Sequence, residues 1–404
     1  MQLLDWLETY TFPAETKFKD AAFASRVCHA AVSRTLRHGT TSCVWFSTIH
    51  TDAAVQLGRI AAHLGQRSFV GKVNMDRNSP ATYCETTSES LAETERFVTT
   101  MLADQASGAG GQVVDPTSNE CVECAPRGPV AQPVITPRFV PTCSAELMRG
   151  LAELAARHNL LIQSHISENL GEIDWVKSLH PTETSYTAVY DAAGLLGART
   201  ILAHGVYLGK EERALFRARG AHVSHCPMSN CMLRSGMLNV RRMLSEGVSV
   251  SLGTDVSGGA SPSMLSAIRE AQKVSNLVSL VEYEHHGQTW PPLTQVEAFW
   301  LATAGKSCLC LCGRFCSLCL RRRPRLCLRL RLHLCSRICA SKPRPVGPPQ
   351  PLCAPRLSHT RMPSRAISCY IASPLAYPRA ISRVFCPPPR HSWQAVRPAL
   401  ACLA

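Results

Sequence analysis

Apolar runs in this chain repeatedly stop at a side chain that can bind a metal or carry a proton, and that recurrence limits its possible folds more than any bulk property. One run beginning at Leu160 ends in Gln163-Ser164-His165-Ile166-Ser167-Glu168-Asn169. Similar ends follow at Ala203-His204-Gly205, at His225-Cys226-Pro227-Met228-Ser229-Asn230 and at Gly253-Thr254-Asp255. Strands of a parallel sheet read as continuous apolar runs because both faces are covered, and a barrel of such strands carries its reactive groups at their C-terminal ends. The pattern predicts one face of a barrel.

The segments between these ends alternate in type. Strands are predicted to begin near Thr41, Ser68, Gln132, Leu160, Thr200, Ala221 and Val248, the second running to Asn74. Asp20 reads as the N-cap of a helix that places Phe23, Val27, Ala30 and Ala31 on one face and runs out before Gly39. Further helices are predicted at 52–64, 88–104, 144–157, 210–219, 238–246 and 293–304. The opening segment mixes apolar and acidic residues and is expected to form a short helix that stops at Pro13. Seven parallel strands are one short of a (β/α)8 barrel, so the expected fold class is α/β, an incomplete TIM-type barrel over residues 1–306.

Two stretches stand apart. Residues 105–130 are rich in Gly, Ser, Pro and Cys without periodicity, and read as a surface loop. Cys121 and Cys124 within it have zinc-knuckle spacing, but no second close pair accompanies them and a structural zinc needs four ligands. From Cys308 to Ala404 there are 17 Lys and Arg and no Asp or Glu, with 12 of the 20 cysteines. The first 307 residues therefore hold 26 basic against 29 acidic groups, about −3, although the whole chain is +14. The tail, 307–404, is expected to be a disordered low-complexity segment, and its arginines are not read as a specific nucleic-acid site. The body reads as a reduced, cytoplasmic protein. Neither a secretory signal nor a membrane span is expected, because the first residues include Asp5, Glu8 and Glu15 and no apolar run reaches 18 residues.

His165, His204 and Asp255 occupy three predicted strand ends. Two imidazoles and a carboxylate suit zinc, which lowers the pKa of a bound water towards about 7. Glu168, one turn beyond His165, is then placed to take a proton and hand it to a leaving or ring nitrogen. A lone strand-end histidine is usually structural; four such groups on three strand ends favour chemistry. His222 reads as structural, and His225 as a group that orients a ligand or a water. Arg138, after Pro137, carries a charged fork able to hold a carbonyl or purine edge.

With these residues assembled, the chain resembles the guanine deaminases of the amidohydrolase superfamily over about residues 3–306, the insert apart. The matching stretches are 6–15, 69–75, 93–98, Thr136-Pro137-Arg138-Phe139, the run from Gln163 to Asn169, Ala203-His204-Gly205, the run from His225 to Asn230, and Leu252-Gly253-Thr254-Asp255. The resemblance implies a homodimeric, cytoplasmic enzyme that hydrolyses guanine to xanthine and ammonia with one zinc ion per subunit. It implies that His165 and Asp255 are zinc ligands, that Glu168 shuttles the proton, and that Asp255 also deprotonates the water. By the same resemblance His204 polarises that water or lies close to the metal, while Arg138 and Phe139 bind and stack the purine, with His165, Glu168 and Asp255 beside it.

The family's first barrel strand ends in His-x-His, both zinc ligands, followed closely by a substrate-binding glutamine; no His-x-His occurs in this sequence. The uncounted strand is thereby expected to be the first, and the family's small β-sandwich, built from both chain ends, is likewise expected to be absent. Catalytic zinc sites hold three protein ligands, so zinc affinity and activity are expected to be impaired. Two other readings compete. One is an amidohydrolase acting on another ring amine or halide, such as cytosine or a triazine, against which Arg138 and Phe139 argue. The other is a metal-free, non-catalytic fragment, for which the missing His-x-His argues.

Overall fold

A computed structural model describes residues 3–107, 131–256, 258–287, 289–303 and 305, together with the backbone of 112–114 and 121–123. The tail expected at 307–404 and Cys124 lie outside the described residues.

All seven expected strands form. They are β1 (Ser42–Phe46), β2 (Arg67–Gly71), β6 (Gln132–Pro137), β7 (Leu161–Ile166), β8 (Thr200–His204), β9 (His222–His225) and β10 (Ser249–Leu252), hydrogen-bonded in that order and parallel throughout. Among the described residues β1 and β10 each pair on one side only. The sheet curls nonetheless. Val44, Trp45 and Phe46 of β1, Phe69 of β2, Gln163 and His165 of β7, Ala203 of β8, Ser224 of β9 and Ser251 of β10 all line one cavity. Across it the Gln163 side-chain amide donates to the Trp45 carbonyl at 2.8 Å and to Thr136 Oγ1 at 2.9 Å. The fold is an α/β half-barrel.

Helices cover the outer face. They include α3 (Ala21–Arg37), α4 (Thr51–His63), α5 (Thr87–Ser107), α6 (Ala145–Arg157) and α9 (Lys210–Arg219). Asp20 caps α3, its carboxylate accepting from the amides of Ala22 and Phe23, and the Ser144 hydroxyl caps α6 through Leu147 N. Their apolar faces bury Val27, Ala31, Leu57, Ile60, Leu147 and Leu151 with Val70, Ile135 and Val223 of the sheet. Each such Val, Leu or Ile side chain contributes roughly 1.5–3 kcal/mol when fully buried. Trp45 lies in the same core with its indole N–H donating to Gln66 Oε1 at 2.9 Å.

Four expectations need correction. The opening helix does not stop at Pro13. Leu3–Trp6 (α1) passes through a π-helical turn, Leu7–Thr11, into α2 (Phe12–Thr16), because Pro13 falls in the first turn of α2, where no amide hydrogen is needed. The strand expected from Ser68 to Asn74 breaks at Lys72, and Val73–Asn74 (β3) pairs instead with the end of β6. Lys72 there carries a fully buried ammonium 2.8 Å from Glu85. The insert holds an antiparallel hairpin of Gln112–Val114 (β4) and Cys121–Glu123 (β5) where a plain loop was expected. A long helix not anticipated, α12 (Met264–His286), starts at Ser263, whose hydroxyl accepts from Ser266 N. Among the described residues no helix is long and apolar enough to cross a membrane.

Gly71 ends β2 close against the side chains of Thr136 and Gln163. A Cβ added there would fall 1.8 Å from Thr136 Oγ1 and 2.7 Å from Gln163 Nε2. Gly71→Ala should therefore cost about 1–3 kcal/mol, as overpacking of a filled interior does, measured as a lower urea midpoint at unchanged slope.

Candidate active site

Six expected site residues, Arg138, Phe139, His165, Glu168, His204 and Asp255, line a single cavity at the C-terminal rim of the sheet. Parallel register brings them there: Ile166 of β7 sits opposite His204 of β8, and Gly253, just past β10, donates to the carbonyl of His225. Backbone conformation turns several of them inward. Ser167, His204 and Asp255 all have positive φ, 48°, 72° and 46°. Such strain costs about 1–3 kcal/mol per residue and persists where the surroundings over-determine it.

The polar surroundings of His165 fix its tautomer. Nδ1 lies 2.7 Å from the carbonyl of Arg138 and so carries the proton, leaving Nε2 as the donor atom of a neutral imidazole. Burial, and then the positive charge of His204, hold its pKa down at about 4, so the ring is neutral near pH 7. It packs between Phe46 at 4.3 Å and His204 at 5.5 Å, ring centroid to centroid.

Glu168 is buried, and burial lifts its pKa to about 7, with the Asp255 charge adding to the effect and His204 opposing it. Oε1 accepts from the Ser235 hydroxyl at 2.9 Å, and Oε2 lies 3.3 Å from His204 Nε2. Glu172, which sequence reasoning passed over, shapes the turn: its carboxylate accepts from the amides of Glu168 and Asn169 at 2.9 and 3.3 Å and from Tyr186 Oη at 2.7 Å. The Asn169-x-x-Glu172 spacing is a capping box at the start of α7 (Leu170–Leu179), so that signal was present in the sequence.

His204 Nδ1 faces Asn230 Oδ1 at 2.8 Å. Burial disfavours the cation, yet the fields of Glu168 and Asp255 together outweigh it and raise the His204 pKa. His225 is wholly buried beside this pair, held neutral by burial and then by His204, and both its nitrogens lack a hydrogen-bond partner among the described residues. Gly258 allows the backbone to cross the Asp255 carboxylate, since a Cβ there would lie 2.8 Å from Oδ2.

Donor atoms of His204, Cys226 and Asp255 lie within 4.8 Å of one another. Nitrogen, thiolate and carboxylate oxygen are all zinc donors, so these three residues suit a divalent cation; His165 is not in this cluster and stacks on His204, ring centroids 5.5 Å apart. Cys226 had no separate role in the sequence reading.

Arg138 makes a buried pair that the sequence did not reveal. Its Nη1 and Nη2 donate to the two oxygens of Glu15 at 2.8 and 2.9 Å, while Phe12 lies 5.1 Å beneath the guanidinium. Phe139 meets Trp175 edge-on at 6.2 Å. Leu3, Trp6 and Leu7 close the same cavity from the chain's first turns.

The amidohydrolase family model matches residues 1–291. The chain is 46% identical over 307 residues to a guanine deaminase of Dictyostelium discoideum, an alignment covering 76% of this chain and 62% of that relative. The chain thus spans under two thirds of the curated relative's length. Its fold matches the crystal structure of a guanine deaminase from C. acetobutylicum with guanine bound, at a TM-score of 0.67 and 36% identity over 76% of this chain and 68% of the other. It also matches, in fold alone, an adenosine deaminase from Xanthomonas campestris with bound zinc, at a TM-score of 0.62 and 20% identity over 76% and 62%.

A Glu168 pKa raised in the folded state implies stability that is full below the ordinary value of 4.5 and is lost as pH rises through about 7. Glu168→Gln removes that titration. Denaturant unfolding between pH 5 and 8 should show the parent falling relative to the variant as pH rises, and parallel pH profiles would contradict the shift.

Proposed function

We propose, from the premise that this chain belongs to the amidohydrolase family, that it is built for the zinc-dependent hydrolytic deamination of guanine to xanthine and ammonia. One observation carries the reading: the fork of Arg138, the ring of Phe139 and the titratable set His165, Glu168, His204 and Asp255 border one cavity. The guanine deaminases to which the chain is similar support the choice of substrate.

In this reading His165 and Asp255 would hold the zinc, and His204 and Cys226, whose donor atoms cluster with that of Asp255, could join them. When bound, the ion lowers the pKa of water and makes it a usable nucleophile at neutral pH. The chain's own residues do the rest. Arg138, a donor-only group, takes a carbonyl oxygen of the purine, and Phe139 offers a ring face. Glu168, with a pKa of about 7, is near half-protonated at neutral pH, so its carboxylate accepts a proton from water and its acid form delivers one to a ring or leaving nitrogen. His204, biased towards the cation, stabilises Glu168 as it ionises. Water adds at the amino-bearing carbon, the C–N bond breaks and ammonia leaves with the transferred proton. Burial of Glu168 and His204 keeps bulk water from levelling these shifts.

A donor-only fork beside an aromatic face favours an oxopurine over a halogenated triazine. The ligands that the resemblance implies, His165 and Asp255, are fewer than the three donors usual at catalytic zinc, and the three donors that cluster here are His204, Cys226 and Asp255, so zinc uptake would depend on His204 and Cys226 as well. The reading also includes a homodimer, checked by sedimentation.

The test is metal content and guanine loss on the purified full chain with zinc supplied in excess. Glu168→Gln should lower kcat by roughly 10²–10⁴, the range for losing a general acid–base, while metal content stays unchanged. Zinc-loaded protein that leaves guanine intact would refute the assignment for this chain.

A further inference from the structure

We infer that Glu15 is a positioning residue that fixes the plane of the Arg138 fork and thereby sets selectivity for a purine with a ring carbonyl over one with an amino group at the same place. The inference rests on the reading of the cavity as an oxopurine site and goes on to what gives that site its preference.

Glu15 is 1% exposed and has both oxygens engaged. Oε1 accepts from Arg138 Nη2 at 2.9 Å, and Oε2 accepts from Nη1 at 2.8 Å and from Tyr83 Oη at 2.5 Å. Tyr83 Oη in turn accepts from the amide of Ile49 at 3.2 Å, so the backbone just past β1 braces the carboxylate. The other hold on Arg138 comes from the same short helix. Phe12 and Glu15 are three residues apart on α2 and share a face, so one turn of chain supports the guanidinium from below and grips it edge-on.

An arginine side chain has many rotamers, and a ligand that had to order it would lose affinity for doing so. Glu15 removes that cost before the ligand arrives. The fixed orientation also gives discrimination. A guanidinium has only donors, so a ring carbonyl is accepted while an amino group in its place meets donor with donor and leaves buried groups unpaired. A loose fork could swing away from the wrong group; a clamped one cannot. All of Glu15, Arg138, Phe139 and Glu168 border the same cavity, so the clamp acts where the ligand would lie.

The experiment measures binding of xanthine and of adenine to the full chain by calorimetry, for the parent, Glu15→Gln, Tyr83→Phe, Arg138→Ala and the double variant Glu15→Gln/Arg138→Ala. Glu15→Gln should weaken xanthine binding by roughly 10- to 100-fold, the scale of losing a charged hydrogen bond, and narrow the preference over adenine. In the Arg138→Ala background the same change should add less than about twofold, because Glu15 acts through Arg138. Where the parent turns over guanine, KM should rise more than kcat falls. If Glu15→Gln does not fold by circular dichroism, Tyr83→Phe carries the test, with a smaller loss that likewise vanishes without Arg138. Equal losses with and without Arg138 would mark Glu15 as structural only and overturn the inference, as would unchanged binding. Binding with the expected pattern but no turnover by zinc-loaded protein would refute the deamination reading and leave the clamp standing. A parent that binds no xanthine would overturn both.

Discussion

Parallel pairing is the constraint on which the site depends. When every strand runs the same way, all C-terminal ends meet at one rim, and residues far apart in sequence become neighbours without any of them choosing a partner. Ile166 faces His204 and Leu252 faces His225 because the ladders of β7 to β10 keep register. A one-residue slip in any of these strands would turn its inward side chains outward. The interior packing that resists such a slip is polar as well as apolar: Gln163 ties β7 to β1 and β6, and the space beside Gly71 admits no larger side chain.

The rim is buried, and burial organises its charges. Desolvation alone would leave Glu168 protonated and both histidines neutral. At 3.3 Å, however, Glu168 and His204 each stabilise the other's ion, and Asp255 tips His204 further towards the cation while pushing Glu168 towards the acid. Each ion is therefore favoured by the other's presence beside it. His165, one ring away, is left neutral by burial and then by the positive charge of His204. Proton-carrying and ligand-type groups are thus separated by environment, with no difference in residue type between His165 and His204.

Much of this was legible in the sequence because each strand is an apolar run ending in a conspicuous polar residue. His165, Glu168, His204 and Asp255 could be nominated from that pattern and Arg138 from its charged fork after Pro137, and the family resemblance added Phe139. Elements governed by local chemistry were read well, as with Asp20 and Ser144 at their helix starts. Misreadings came where context overrode a local rule. Pro13 looked like a stop but sits where a helix needs no amide hydrogen, and Lys72 looked like strand interior but buries its charge against Glu85. The Glu15–Arg138 pair spans 123 residues, and no periodicity connects its members.

That pair changes how the first turns of the chain should be regarded. A guanidinium this deep needs a carboxylate, since removing one partner of a buried pair strands the other's charge and typically costs about 3–5 kcal/mol. Residues 3–19 are mostly helical and pack Leu3, Leu7 and Phe12 against Met75, Tyr83 and Phe139. Apolar contact alone would hold them over the rim in more than one orientation. The two-point bond from Glu15 selects one, and the Tyr83 brace ties that choice to the end of β1. Folding of the opening segment and construction of the cavity are consequently one event. Arg138 takes its orientation from residues 3–19, and in return its charge neutralises the carboxylate that those residues bury.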